Sequence, residues 1–325
     1  MACHSPIPAS QDSFGRVRVQ WSRADARDTG DQVLEVSCGR CEGCRAAKAR
    51  EWAIRAHHEA QLHTRQTELG AVSNNAFVTL TYADAPPQLD HRDFQLFMKR
   101  LRKRFGGGIR FIMCGEYGER RGRPHFHSLL FGCDFHEDRF KLALDGSHTL
   151  YGSPTLTELW PFGFSYIGTV NFATASYVAG YAAKKLRKAE HENEGTWIDA
   201  HLDEDGELVP GHLEEFQQEY IQCSRRPGIA GKWIEANWPE VYPRDEVVIE
   251  GKTYRPPEYY DRYLRERFPD HWARVLERRM AYAEQNELAT PLTLKARKAN
   301  FEAQASLGKR SRHENFGDRL PAGFS

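Results

Sequence analysis

The run Pro124 to Gly132, PHFHSLLFG, sets two histidines one residue apart inside a strand-like apolar segment. Strand side chains alternate between faces, so His125 and His127 leave one face together while Phe126 enters the opposite layer. A second such run, Ile109 to Gly115, precedes it across a charged, glycine-containing segment, Tyr117 to Arg123. Two apolar runs joined this way predict a β-hairpin. A chain that must bury Phe126 on one side and serve two imidazoles on the other needs a sheet with two distinct faces.

The flanking sequence supplies the rest of that sheet. Ala76 to Tyr82 (AFVTLTY) has the β-branched and aromatic content of a strand and stops before Pro86-Pro87. Phe94, Phe97, Met98, Leu101 and Phe105 recur at helical spacing and end at Gly106-Gly107-Gly108. Phe164 to Val170 reads as a further strand, and Thr174 to Lys188 as a helix closed by Lys and Arg, as its dipole favours. The order β-α-β-β-(short α)-β-α predicts an α+β fold, an antiparallel sheet with helices on one side. Residues 1–72 form a cysteine-rich segment with a helix over Arg45 to His63, and 73–188 the sheet domain. Residues 189–325 form an acidic linker, charged helices around Tyr259 to Glu287 and a disordered tail from about Leu307.

Charge is polarised although Lys+Arg and Asp+Glu each total 45. Leu96 to His125 holds nine basic residues against two acidic ones, and Glu190 to Tyr220 holds eleven carboxylates with no Lys or Arg. The first segment suits phosphates and the second repels them. Lys99, Arg100, Arg102, Lys103 and Arg104 of the helix and Arg120, Arg121 and Arg123 of the turn are candidate DNA contacts; a solvated helix face is the other reading. No apolar run approaches a membrane span and Met1 to Gln20 lacks a signal-peptide layout, so a cytoplasmic location is expected.

Two adjacent imidazoles on a strand face can chelate a divalent ion and leave positions for a substrate oxygen. With the hairpin turn near Arg120 and Arg121, Glu116 lies opposite His125 and adds a carboxylate, a mixed N/O set suited to Mg²⁺ or Mn²⁺. Glu119 is a weaker candidate, readable as a solvated turn residue. Tyr177 and Tyr181, four apart on a helix, share a face, with Lys184 and Lys185 on the next turn. Such a pair also serves plain packing; as nucleophiles, tyrosines need a cation or metal to stabilise the phenolate. Together these groups describe phosphoryl transfer with a tyrosine attacking in line.

Cys38, Cys41 and Cys44 stand at CxxCxxC spacing, with Cys3 or His4 available as a fourth ligand for structural Zn²⁺. The run also matches iron–sulfur spacing, and three reduced thiols are the plainest reading. Cys114, Cys133 and Cys223 read as small core residues. Tyr259 and Tyr260, being adjacent, read as packing or DNA-stacking residues.

HFH with GEYG upstream and YVAGYAAKK downstream resembles the HUH-type rolling-circle initiators. With CGRCEGC, FVTLTY, RPHFH, SRRPGI and RPPEYYDRYL in this order, the chain is most similar to the replication-initiation proteins of microviruses, the gokushovirus type in particular. The resemblance implies a ferredoxin/RRM-like HUH core, Glu116, His125 and His127 as metal ligands, Tyr177 and Tyr181 as nucleophiles, and Lys184 or Lys185 in support. It implies a nickase and ligase that holds the 5′ end as a phosphotyrosine ester and frees a 3′-OH primer on circular phage DNA, single-stranded or replicative form. It also places FVTLTY beneath the site, helping to position DNA. No GxxxxGK[ST] P-loop occurs, so a host helicase, polymerase and single-strand-binding protein are the expected partners, in the bacterial cytoplasm. A relaxase or transposase with the same chemistry, or a zinc-containing DNA-binding protein without catalysis, are the competing readings.

Overall fold

The computed structural model describes residues 3–12, 16–20, 22–68, 70–118, 122–145, 148–188, 201–202, 208–209, 219–285, 294–296 and 298–299, for some of them, 181–188 included, the backbone alone. The chain divides into two compact units, one of 63–142 with 151–225 and one of 1–62 with 143–150 and 226–325. Most of the acidic block and the tail from Leu307 lie outside the described residues.

In the first unit, strands Asn75–Tyr82, Arg110–Tyr117, Pro124–Phe131 and Gly163–Gly168 alternate with helices His91–Phe105 and Pro154–Leu159 in the order β-α-β-β-α-β. That is the element order of the ferredoxin-like motif. Across the seven-stranded sheet the order is Tyr220–Cys223, Arg110–Tyr117, Pro124–Phe131, Asn75–Tyr82, Gly163–Gly168, His148–Gly152 and Phe140–Asp145. The first four pairings in that row are antiparallel. The expected α+β sheet is present.

One face of the sheet is the core. Val78, Leu80, Met113, Phe126 and Leu130 meet Phe94, Phe97, Met98 and Leu101 of the His91–Phe105 helix, with Leu156 and Trp160 beside them. Phe126 has no exposed surface and its ring lies 5.7 Å from Phe94 and 5.9 Å from Trp160. Asp90 caps the helix by accepting from the Arg92 N–H, and Gly106 ends it at φ 99°, a conformation open to glycine.

The helices expected on one side divide between the two faces. His91–Phe105 and Pro154–Leu159 share the Phe126 face, but Phe172–Lys188 lies over the other, where Tyr177 meets His127 and Phe77. With one face already covered, Phe77, Leu129, Phe131 and Ile112 of the other remain to be buried. Small buried residues of the last helix, Ala175 and Ala179, let it lie close.

The second unit opens with a three-stranded sheet, Val17–Val19, Ile7–Gln11 and Gln32–Val36, where only a cysteine-rich segment was expected. Its helices are Glu42–Gln61, Gly231–Val241, Glu258–Arg267 and Pro269–Glu284. Tyr260 is fully buried and its hydroxyl lies 2.7 Å from His58 Nδ1, while the His58 ring stacks on Trp233 at 3.6 Å. Tyr260 is thus a packing residue. Arg279 ties Asp245 and Asp261 together at 2.6 Å each.

Candidate metal and tyrosine site

Hairpin register builds the site. Glu116 pairs with His125 across Arg110–Tyr117 and Pro124–Phe131, as the assumed turn position required, and Thr79 pairs with His127 from the other side. Cross-strand partners share a face, so Glu116, His125, His127 and Thr79 converge opposite Phe126. Glu116 Oε1 lies 2.6 Å from His125 Nε2 and 2.8 Å from His127 Nε2. One ligand atom from each of the three lies within 4.8 Å of the other two.

Both imidazoles are held from behind. Arg123 O accepts from His125 Nδ1 at 3.0 Å, and Thr79 Oγ1 lies 2.9 Å from His127 Nδ1. A proton fixed on Nδ1 leaves Nε2 to face the carboxylate or a metal, the usual outer-shell arrangement of a ligating histidine. Phe77 stacks on the His127 ring at 5.5 Å and limits its rotation. Burial alone would raise the Glu116 carboxyl, but the hydrogen bonds and charge of the two histidines hold it well below the carboxylate range. Burial alone would lower the His125 imidazole, but Glu116 beside it raises it above the ordinary histidine value. Two tautomer-fixed imidazoles and a charged carboxylate, with one side open to a hydroxyl, fit a hard or borderline divalent ion.

The open side faces Tyr177. Its hydroxyl donates to Glu116 Oε1 at 3.3 Å and lies 3.5 Å from His127 Nε2. The helix starts at Phe172, two residues earlier than expected. Asn171 Oδ1 accepts from the Thr174 N–H at 2.8 Å and Thr174 Oγ1 from the Asn171 N–H at 2.9 Å, a reciprocal cap that fixes where Tyr177 enters. The backbone stays helical through Tyr181, Lys184 and Lys185, whose side chains lie outside the described residues.

The basic residues do not gather as charge alone suggested. Lys99, Arg100, Arg102, Lys103 and Arg104 ride on the helix that covers the Phe126 face, away from the histidines. Arg100 donates to Leu159 O and Arg102 to Ile109 O, so these two act as local ties. Arg123 donates to Tyr82 O and Ala83 O at 2.9 and 2.7 Å, and beside the site it braces the hairpin. Glu119, Arg120 and Arg121 lie outside the described residues. Sequence reasoning missed Thr79 as the partner of His127; the alternation of FVTLTY on a neighbouring strand was the available signal.

The cysteines converge in the other unit. Sγ of Cys3 lies 3.6 Å from Cys38 and 3.9 Å from Cys41, and Cys38 lies 3.9 Å from Cys44. A tetrahedral ion with bonds of about 2.3 Å to sulfur sets its ligands about 3.8 Å apart, so the spacing fits a closed four-sulfur site. His4 offers its backbone N–H to Cys41 Sγ at 3.3 Å, and the sulfur of Cys3 completes the four. Burial would raise the Cys41 thiol, but N–H groups of His4 and Cys44 draw it down to about 6. Cys114 and Cys133 are buried in the sheet unit, as expected of small core residues.

Residues 75–186 match the family model described as Replication-associated protein ORF2, a span that contains the triad and Tyr177. The chain is 31% identical to Replication-associated protein VP4 of Bdellovibrio phage phiMH2K, over 84% of this chain and 80% of the relative. Identity is 28% to Replication-associated protein ORF2 of Spiroplasma virus 4, over 73% and 70%, and 31% to Replication-associated protein ORF4 of Chlamydia phage 1, over 46% and 38%. The chain belongs to this family of microvirus-type replication-associated proteins. No solved structure matches it. None of the described helices is long and apolar enough to cross a membrane.

Proposed function

We propose that the protein initiates rolling-circle replication of a small single-stranded DNA phage by cutting one strand and keeping its 5′ end on Tyr177. The observation that carries this reading is the Tyr177 hydroxyl 3.3 Å from Glu116 Oε1 and 3.5 Å from His127 Nε2, beside a set of donors that fits a divalent ion. Glu116, His125 and His127 would hold Mg²⁺ or Mn²⁺, which when bound polarises the scissile phosphate and stabilises its developing charge.

Tyr177 Oη attacks phosphorus; the Oη–P bond forms as the P–O3′ bond breaks, and the proton lost by the phenol is balanced by one gained at O3′. The freed 3′-OH primes synthesis by the host polymerase. Because one phosphodiester replaces another, the linkage can be reversed to rejoin strands. Tyr181, one turn further along the helix, would cut the regenerated origin while Tyr177 is still esterified. Lys184 or Lys185 would supply the cation that favours a phenolate. Cys3, Cys38, Cys41 and Cys44 would hold structural Zn²⁺. Lacking a P-loop, the chain would depend on a host helicase, polymerase and single-strand-binding protein in the cytoplasm.

The test is purified protein with end-labelled single-stranded phage DNA, with and without added Mn²⁺ or Mg²⁺, run on a denaturing gel. The expected result is a metal-dependent protein–DNA adduct that survives denaturant. Cutting without an adduct would indicate a hydrolytic nuclease, and binding of the origin without cutting a non-enzymatic DNA-binding protein.

A further inference from the structure

The sheet face that carries the triad continues past it. The register sets Phe164 opposite Thr81 and Tyr166 opposite Thr79. Thr81 and Thr79 in turn lie opposite His125 and His127, so all six share one face. The alternate residues Ser165 and Ile167 are buried on the Phe126 side. One strand further out, Tyr151 pairs with Ile167, which puts Gly152 on the triad's face. A Cβ at Gly152 would lie 2.9 Å from Phe140 and 3.0 Å from Leu142, so these two side chains lean over the glycine there. Phe164 is 49%, Phe140 51% and Leu142 47% exposed, and Tyr166 is half-buried.

Grouped exposure of large apolar side chains on one face marks a binding surface more often than isolated ones do. At about 4.8 Å per strand, this strip begins roughly 10 Å from the histidine strand and runs outward from it. It is continuous with the site through the hydroxyls of Thr79 and Thr81. An aromatic strip reached through hydroxyls suits a polymer with flat rings on a polar backbone, since every base offers a π-face to stack.

We propose that Phe164 and Tyr166, with Phe140 and Leu142 beyond them, form a stacking floor for the bases of single-stranded DNA that flank the scissile phosphate. The position of that phosphate rests on the nickase reading above, but the test below involves no cleavage.

Full-length protein is titrated, by fluorescence anisotropy, into labelled oligothymidylate and into an oligomer of equal length whose bases are replaced by abasic sites. Both probes carry the same phosphates and neither carries an origin. The wild type is expected to bind the base-bearing strand at least about tenfold more tightly. Phe164→Leu and Tyr166→Leu keep the apolar bulk and remove the ring; each is expected to lose most of that preference, while abasic binding stays constant. Phe164→Trp is expected to retain it, which separates loss of stacking from loss of folding. Equal binding of both probes by the wild type, or an undiminished preference in Phe164→Leu and Tyr166→Leu, would overturn the proposal. So would variants that only shift sedimentation from oligomer to monomer, because the strip would then pair two copies of the chain. A negative result leaves the adduct assay untouched, and a missing adduct leaves this comparison intact.

Discussion

The two candidate metal sites are built by opposite means. Glu116, His125 and His127 are placed by strand register inside a sheet whose core, around Phe126, is complete without them. Their open side faces the Tyr177 hydroxyl. The four cysteines come from the segment before the first strand and from the start of the Glu42–Gln61 helix, 35 residues apart between Cys3 and Cys38. They close on one another and leave no side for a substrate. An open set on a preformed scaffold is suited to chemistry, and a closed set drawn from distant segments is suited to holding a fold. Damage to the first should therefore cost activity, and damage to the second stability.

The largest effect is expected at the closed site. Cys41→Ser should remove bound zinc, measured by mass spectrometry of the native protein, and with it metal-linked folding energy that reaches about 10 kcal/mol in small zinc domains. A large drop in Tm is expected, and a Tm unchanged by the loss of all four thiols would break the comparison. Next, Glu116→Gln should lower metal-dependent adduct formation by about a thousandfold or more, equivalent to about 4 kcal/mol in the barrier, with Tm nearly unchanged.

A buried histidine in the cysteine unit gives an intermediate effect. Burial pushes His58 down to about 3, so the fold keeps the neutral imidazole. Between about 6.5 and 3 the unfolded chain takes up a proton that the folded chain refuses, so this contribution is present above pH 6.5 and is lost as pH falls. From pH 7 to pH 5 it amounts to about 2 kcal/mol. Urea unfolding at both pH values should show it, with a shallower dependence in His58→Gln. The smallest effect is expected from Thr79→Val, which removes the partner of His127 Nδ1: metal affinity by calorimetry should fall about 10- to 100-fold with the fold intact.

How much of this was legible depended on how local the cause was. The triad could be read because a period of two and one hairpin register decide it, and both are written within the segment from Ile109 to Gly132. Cysteine spacing likewise named the closed site. The side on which Phe172–Lys188 lies was not legible, because it depends on which sheet face earlier helices leave bare. Net charge drew Lys99 to Arg104 toward the site, whereas the stripe of Phe94, Phe97, Met98 and Leu101 on the same helix carries them to the opposite face. The N-terminal sheet escaped because strands such as IPASQ lack alternation and carry a proline. Phe164 and Tyr166 were read as strand residues; only the register beside Thr81 and Thr79 shows which face they occupy.

The central claim is that Tyr177 carries the cut strand. The most direct measurement is tandem mass spectrometry of the tryptic peptide that spans Tyr177 and Tyr181, recovered from the adduct formed on phage origin DNA after nuclease trimming. A nucleotide ester on Tyr177, lost in Tyr177→Phe, is the expected result. A first-round ester found on Tyr181 alone, or cleaved DNA with every tyrosine of that peptide unmodified, would contradict it.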